Sequence, residues 1–386
     1  MTAASEQELW PISSPQGRWK GFGPYYAMFP VSFAYEYIQR YSIPGDTILD
    51  PFCGRGTSNY VANLLGRHSV GCDVNPVAWI YSKVKTDPAR RVQDVLARVD
   101  QIWESRVASD FIPENDFQEL AWSRPVLAFL NSARRELNWR KSKIDWTTAG
   151  IIMVYLHGKL GGALSNQMRQ SKSMAPDYAV RWWRQRQMHP PEINPVEFLK
   201  KRIVWRYQKG ITKTEVSSRI MLGGAQKELK NLSGIKSSLL ITSPPYLGIT
   251  NYEYDNWIRL WLLGGNPLPG GSAEHRYANK EKYELMLQGV FAESRRHLRG
   301  DASLVIRTDR RPFTLETTAY VLDGLWPHHR IFGRPSVSAK PTQTALFGDK
   351  SSKPGEVDLL ALPVGKQAPK GFIDLREFSK ASDRAA

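Results

Sequence analysis

Residues 242–246 read Thr242-Ser243-Pro244-Pro245-Tyr246 and follow a short apolar run, Ser238-Leu239-Leu240-Ile241. Proline fixes φ at about −65° and has no N–H to donate, and it drives the residue before it out of helical geometry. Ser243 and Pro244 are therefore expected in a rigid extended arm at a strand end, with carbonyl oxygens that have no partner within the arm. Tyr246 would stand just beyond as an aromatic platform. A hydroxyl, free carbonyls and an aromatic face together suit a planar base with an exocyclic amino group. Taken alone, Pro-Pro-Tyr is also compatible with a plain rigid turn.

A second motif lies upstream. Asp50-Pro51-Phe52-Cys53-Gly54-Arg55-Gly56-Thr57 follows the apolar run Thr47-Ile48-Leu49. Gly54 and Gly56 allow a tight turn and close approach of a ligand, which a Cβ would block. The next helix offers free N–H groups at its start, suited to a ligand's carboxylate. His68-Ser69-Val70-Gly71-Cys72 reads as the next strand, ending at Asp73 at the crevice where open α/β sheets bind ligands. Many dinucleotide folds share a bare Gly-x-Gly.

With Asp-Pro-Phe-Cys before the glycines and Ser-Pro-Pro-Tyr downstream, the chain resembles the S-adenosylmethionine-dependent amino-methyltransferases of DNA, which act on cytosine N4 or adenine N6. The order of motifs resembles their α-type permutation. The resemblance implies S-adenosyl-L-methionine as cofactor, held by Tyr26, Phe29, Asp50, Phe52, Gly54, Gly56, Thr57 and Asp73. In that scheme Asp50 accepts from the cofactor's ammonium and Asp73 from the ribose hydroxyls. Pro24 to Pro30 would cover the methionine moiety. Ser243, Pro244, Pro245 and Tyr246 become the catalytic arm. The Ser243 hydroxyl and Pro244 carbonyl would draw the amino nitrogen toward tetrahedral geometry, and Tyr246 would stack on a flipped base. No strong general base is demanded. Serine ahead of Pro-Pro-Tyr goes mostly with cytosine N4 in this family. One departure is Gly223-Gly224, where the family usually carries Gly-Asp at the adenine edge, leaving Gln226 or a backbone group to substitute. Asn251 to Trp257 and Arg307 to Arg310 are candidates for the base pocket, and Lys340 to Phe347 for a loop over it.

Around these motifs the first twenty residues read as irregular, and a helical stripe follows to Tyr41. Strand, glycine loop, helix, strand and acid then make a βαβ unit. From residue 88 the pattern becomes helical, over 88–111, 116–137 and 147–168, with no strand until about residue 218. The interval is too long for a loop. Strands return at 219–222, 238–242, 303–307, 329–332 and 357–362, with helices over 225–232, 253–263, 276–298 and 314–325. The fold class is α/β: a seven-stranded, mostly parallel, Rossmann-like methyltransferase sheet with an inserted, mainly helical domain. The antiparallel entry of the last strand is implied by the resemblance. The expected division is 1–86 with 218–365 for the methyltransferase domain, 87–217 for the insert and 366–386 for a charged tail.

The formal net charge is +16, which points to a polyanionic partner, nucleic acid before a membrane surface. Thirteen tryptophans and sixteen tyrosines suggest stacking surfaces, with core packing the competing use. Residues 167–209 carry ten Lys or Arg against three acids. Within them Arg169, Lys172, Arg181, Trp182, Arg184 and Arg186 are candidate DNA contacts, and the insert the candidate target-recognition domain. The alternative is a solvated basic face. Double-stranded DNA is the expected partner, and a cognate restriction endonuclease on a separate chain a possible second one. Two cysteines, Cys53 and Cys72, exclude a disulfide framework, and no metal-ligand spacing appears. With no signal peptide or apolar span, a cytoplasmic setting in use on the prokaryotic nucleoid is expected. An RNA (tRNA) base methyltransferase competes with the DNA reading, though such enzymes usually carry a long N-terminal RNA-binding domain. A non-enzymatic nucleic-acid-binding relic draws support only from Gly224.

Overall fold

The computed structural model describes residues 9–25, 29–248, 251–269, 279–336 and 355–375. Among them, eight strands form one sheet: β1 (Thr47–Asp50), β2 (His68–Asp73), β3 (Ser218–Leu222), β4 (Ser237–Thr242), β5 (Leu298–Asp309), β6 (His329–Ser336), β7 (Glu356–Pro363) and β8 (Ile373–Asp374). Their spatial order is β3-β2-β1-β4-β5-β7-β6-β8. Strands β1 to β5 pair in parallel, whereas β7 runs antiparallel between β5 and β6. The α/β class and the antiparallel strand are borne out. All six residues of β4 are buried, as expected for a strand covered on both faces.

The strand count differs by one. The two-residue β8 pairs with β6 inside the stretch read as a charged tail. Its anchor is Phe372, which meets the Tyr37 ring edge-on at 6.4 Å and lies under the Arg334 guanidinium. Hydrophobic periodicity misses such a short element.

The segment read as irregular contains a helix, Pro15–Lys20, capped by the Ser14 hydroxyl accepting from Gly17 N–H. The expected helices of the insert are also shorter and more numerous. Residues 88–111 hold Val92–Glu104 and a 3-10 turn at Ala108–Phe111. Residues 116–137 split into Asp116–Ala121 and Arg124–Glu136, with Pro125 opening the second. The third runs Lys143–Tyr155, started by a Ser142 cap, and two more follow at Pro176–Gln185 and Pro195–Tyr207.

These helices share one continuous apolar cluster with helix Pro76–Thr86 and with helix Trp257–Leu262 beyond the arm. Trp122 stacks on Trp261 at 5.1 Å, Phe117 meets Trp257 at 4.8 Å, and Trp79 packs between Trp139 and Trp146. Nine of the tryptophans are buried, eight of them in this cluster, so aromatic content here mainly builds core. The insert is thereby fastened to helices that follow each of the two motifs.

Candidate active site

The two motifs meet because β1 and β4 are neighbours in parallel register, Ile48 opposite Leu239 and Leu49 opposite Leu240. Their carboxyl ends therefore lie side by side. The Thr242 hydroxyl, one residue before the arm, donates to Asp50 Oδ1 at 2.6 Å. Asp50 also accepts from Phe52 N–H at 3.2 Å and from the Ser58 hydroxyl. It is fully buried, and burial raises its pKa to about 6 against the pull of those donors. The carboxylate thus clamps the end of β1 to the helix after the glycine loop and to the arm.

In the loop, Gly54 and Gly56 have φ of 51° and 71°, the left-handed region that favours glycine. A Cβ on Gly56 would lie 2.6 Å from the Ser82 hydroxyl, so this glycine is required by close packing. A Cβ on Gly54 would meet nothing within 4 Å, so space is open there. Asp73 borders it. Its Oδ2 accepts from Gly54 N–H at 2.9 Å and its Oδ1 from Asn75 N–H at 2.8 Å. Burial lifts its pKa to about 6, and no cation is among the groups that set it. A desolvated carboxylate beside open space, with a buried and unpartnered Thr57 hydroxyl at the start of helix Thr57–Leu64, fits a ligand bringing hydroxyl or ammonium donors. S-adenosylmethionine carries both.

Phe52 is half-buried and meets Phe291 edge-on. Phe29 is buried against Phe33 at 4.9 Å. Tyr26 lies outside the described residues. Its neighbour Tyr25 accepts from Asn75 Nδ2 at 3.1 Å and stacks with Tyr252 at 6.0 Å, joining the segment before the glycine loop to the one after the arm. Gly224 is exposed, and the Gln226 amide lies over Gly289.

On the arm, Pro244, Pro245 and Tyr246 are buried and Ser243 is half-buried. The Ser243 hydroxyl donates to Tyr246 Oη at 3.4 Å, and Tyr246 Oη donates to Glu356 Oε1 at 3.1 Å. Glu356 opens β7 opposite Asp309 of β5, and Arg307 Nη1, two residues earlier on β5, lies 3.8 Å from it. Arg307 makes a two-pronged pair with Asp358 at 2.8 and 3.2 Å and lies over the Phe33 ring at 4.0 Å. Burial and the nearby Glu356 carboxylate hold the Tyr246 phenol far above its usual range. Arg311 Nη2 donates to Leu247 O at 2.7 Å while pairing with Asp309, fixing the chain just after the arm.

Glu356 and Asp358 were missed by sequence reasoning. They stand 110 and more residues beyond the arm, and the available signal was two acids at alternate positions opening an apolar strand. A cavity of about 640 Å3 is lined by Val74, Asn75, Trp139, Arg140, Tyr252 and Trp257. Of the segment Asn251 to Trp257, Tyr252, Glu253 and Trp257 thus line a crevice that begins at Val74 and Asn75. Residues 340–347 lie outside the described residues.

The candidate DNA contacts divide. Lys172 pairs with the buried Asp255 at 2.7 Å, tying the insert to helix Tyr252–Asp255, and Arg184 pairs with Asp116 at 2.6 Å. Arg169, Arg181 and Arg186 are exposed, and Arg186 lies over the half-buried Trp182 at 4.5 Å. No helix among the described residues is long and apolar enough to cross a membrane.

Comparison with known proteins agrees with the motif reading in its N-terminal part. Residues 3–81 match the DNA methylase family model of the N6/N4 type. The chain is 45% identical over 49 residues to the type II methyltransferase M.MthZI of Methanothermobacter thermautotrophicus, covering 13% of this chain and 14% of that protein. It is 48% identical over 42 residues to the type II methyltransferase M.BsoBI of Geobacillus stearothermophilus, covering 11% of this chain and 8% of that one. The matched parts thus span less than a sixth of either relative. Among solved structures, the rRNA methyltransferase aviRa of Streptomyces viridochromogenes aligns over 94% of this chain and 96% of its own, with 14% identity and a TM-score of 0.36.

Proposed function

We propose that the chain, whose residues 3–81 match the DNA methylase family model of the N6/N4 type, methylates the exocyclic amino group of a DNA base, cytosine N4 in the first place. The observation that carries the reading is the Thr242–Asp50 hydrogen bond, which joins the strand ends from which the arm and the glycine loop depart. S-adenosylmethionine, when bound, supplies an electrophilic methyl group.

The chain's own residues do the rest. Asp73 accepts from the ribose hydroxyls with the lone pairs left after Gly54 and Asn75. Asp50 keeps acceptor capacity beyond its three donors for an ammonium. The N–H groups opening helix Thr57–Leu64 face the carboxylate end. Ser243 Oγ and the Pro244 carbonyl accept from the amino group, localising its lone pair on nitrogen. Tyr246, buried and tied by its hydroxyl, is a fixed wall for the extruded base. Serine before Pro-Pro-Tyr favours cytosine N4. The exposed Arg169, Arg181 and Arg186 with Trp182 supply the insert's face toward double-stranded DNA.

Nucleoside mass spectrometry of DNA from cells expressing the chain or its Ser243→Ala variant tests this. N4-methylcytosine that appears with the first and not the second is expected. N6-methyladenine instead would move the target base, and methylation confined to RNA would overturn the DNA reading.

A further inference from the structure

The two hydrogen bonds on the arm run in one direction. Ser243 Oγ–H points to Tyr246 Oη, and Tyr246 Oη–H points to a carboxylate oxygen of Glu356. An unbroken donor-to-acceptor chain therefore leads from the hydroxyl beside the substrate amine to an acid on a different strand. We propose that Ser243, Tyr246 and Glu356 form a proton relay that carries away the proton displaced when the amino nitrogen is methylated, with Glu356 as its terminus. This inference rests on the methyltransferase reading and adds to it a proton acceptor that the arm itself does not contain.

The step balances. As the methyl carbon bonds to the amino nitrogen, its bond to the sulfonium sulfur breaks and a neutral thioether leaves, while one N–H bond breaks and its proton goes to Ser243 Oγ. The Ser243 proton passes to Tyr246 Oη, and the Tyr246 proton to Glu356. The nitrogen ends neutral, both hydroxyls are regenerated, and the positive charge delivered with the methyl ends as the proton on the Glu356 carboxyl. Both hydroxyls are already in line, at 3.4 and 3.1 Å. These exceed the ~2.7–2.8 Å optimum for O–H···O bonds, as catalytic hydrogen bonds often do before substrate is bound.

The surroundings of Glu356 suit an acceptor. It is largely buried, and burial is the main cause raising its pKa above the usual glutamate value. Asp358 on its own strand and Asp309 on β5 push the same way, while Arg307 on β5 and the Tyr246 hydroxyl pull it down. The Arg310 side chain lies beside Gly355, one residue before it. Arg307 is engaged in the two-pronged pair with Asp358 and keeps only the longer contact to Glu356. Burial thus makes Glu356 a readier proton acceptor than an ordinary glutamate. It acts through Tyr246 and does not touch the substrate, so it is a positioning residue with a proton to accept.

The test is methyl incorporation from labelled S-adenosylmethionine into unmethylated genomic DNA, at saturating cofactor, from pH 5 to 9. Glu356→Gln keeps an oxygen that can accept from Tyr246, and Tyr246→Phe keeps the ring and the Glu356–Arg307 contact. Both are expected to lower kcat about 100-fold, the ordinary contribution of a positioned base, with cofactor KM within about threefold of wild type on the same grounds. Wild-type kcat is expected to fall on the acid side with a midpoint above that of ordinary glutamate. This limb should be absent in Glu356→Gln and restored in Glu356→Asp. A Glu356→Gln enzyme with wild-type kcat and an unchanged acid limb overturns the relay alone. No incorporation by the wild type overturns the methyltransferase reading, and the relay with it.

Discussion

Asp50→Asn replaces the buried carboxylate by a neutral group of the same shape, and its effect on stability depends on pH in a way fixed by the structure. An unfolded aspartate titrates near 3.8, whereas Asp50 in the fold titrates at about 6 because burial outweighs three hydrogen-bond donors. That difference corresponds to about 3 kcal/mol. Because the folded pKa is the higher one, the native state holds the proton more tightly. The associated stability is present below about pH 4 and is lost as pH rises through 6. Relative to wild type, the variant should therefore gain nothing near pH 4 and about 3 kcal/mol by pH 7.5. Urea unfolding of both proteins without cofactor, from pH 4.5 to 7.5, measures this difference directly. Asp73 titrates in the same range in both proteins, and in the variant it loses only the smallest of its contributions, the upward push of the Asp50 charge. A stability difference that stays flat with pH, or that falls as pH rises, would refute the claim that desolvation dominates at Asp50.

Gly56→Ala forces a left-handed residue against the Ser82 hydroxyl and should cost about 3 kcal/mol, whereas Gly54→Ala meets open space and should cost about 1 kcal/mol; equal losses in chemical denaturation would contradict this. Arg307→Met leaves Asp358 buried with only Arg334 and Tyr37 beside it, and a loss of about 3 kcal/mol is expected by the same measurement. Ser243→Ala should reduce turnover by about 100-fold while calorimetric cofactor affinity stays within a few fold of wild type. The reverse pattern would move Ser243 from the arm's chemistry to cofactor binding.

The sequence alone determined the parts whose chemistry is local. Two consecutive prolines impose an extended arm whatever surrounds them, and Gly54 and Gly56 permit a turn that few other residues adopt. Alternating strands and helices around them were enough for the sheet. Its apolar strands are buried on both faces and so read as continuous hydrophobic runs. The helices of the insert were legible as helical, but their ends were not. Their breaks depend on single caps such as Ser142 and on turns whose hydrogen bonds form only on packing.

Tertiary structure decided which distant residues face each other. Glu356 reaches Tyr246 only because β7 enters antiparallel beside β5, and periodicity along the chain contains no term for such a pairing. The same holds for Asp50. Its type and place at a strand end suggest a ligand for the cofactor, and only the adjacency of β1 to β4 shows it clamping Thr242. Lys172 and Arg184 likewise read as basic surface until folding sets Asp255 and Asp116 opposite them. Residue type and local spacing fix what a side chain can do. Burial and cross-strand neighbours, which arise only when remote segments pack, fix what it does.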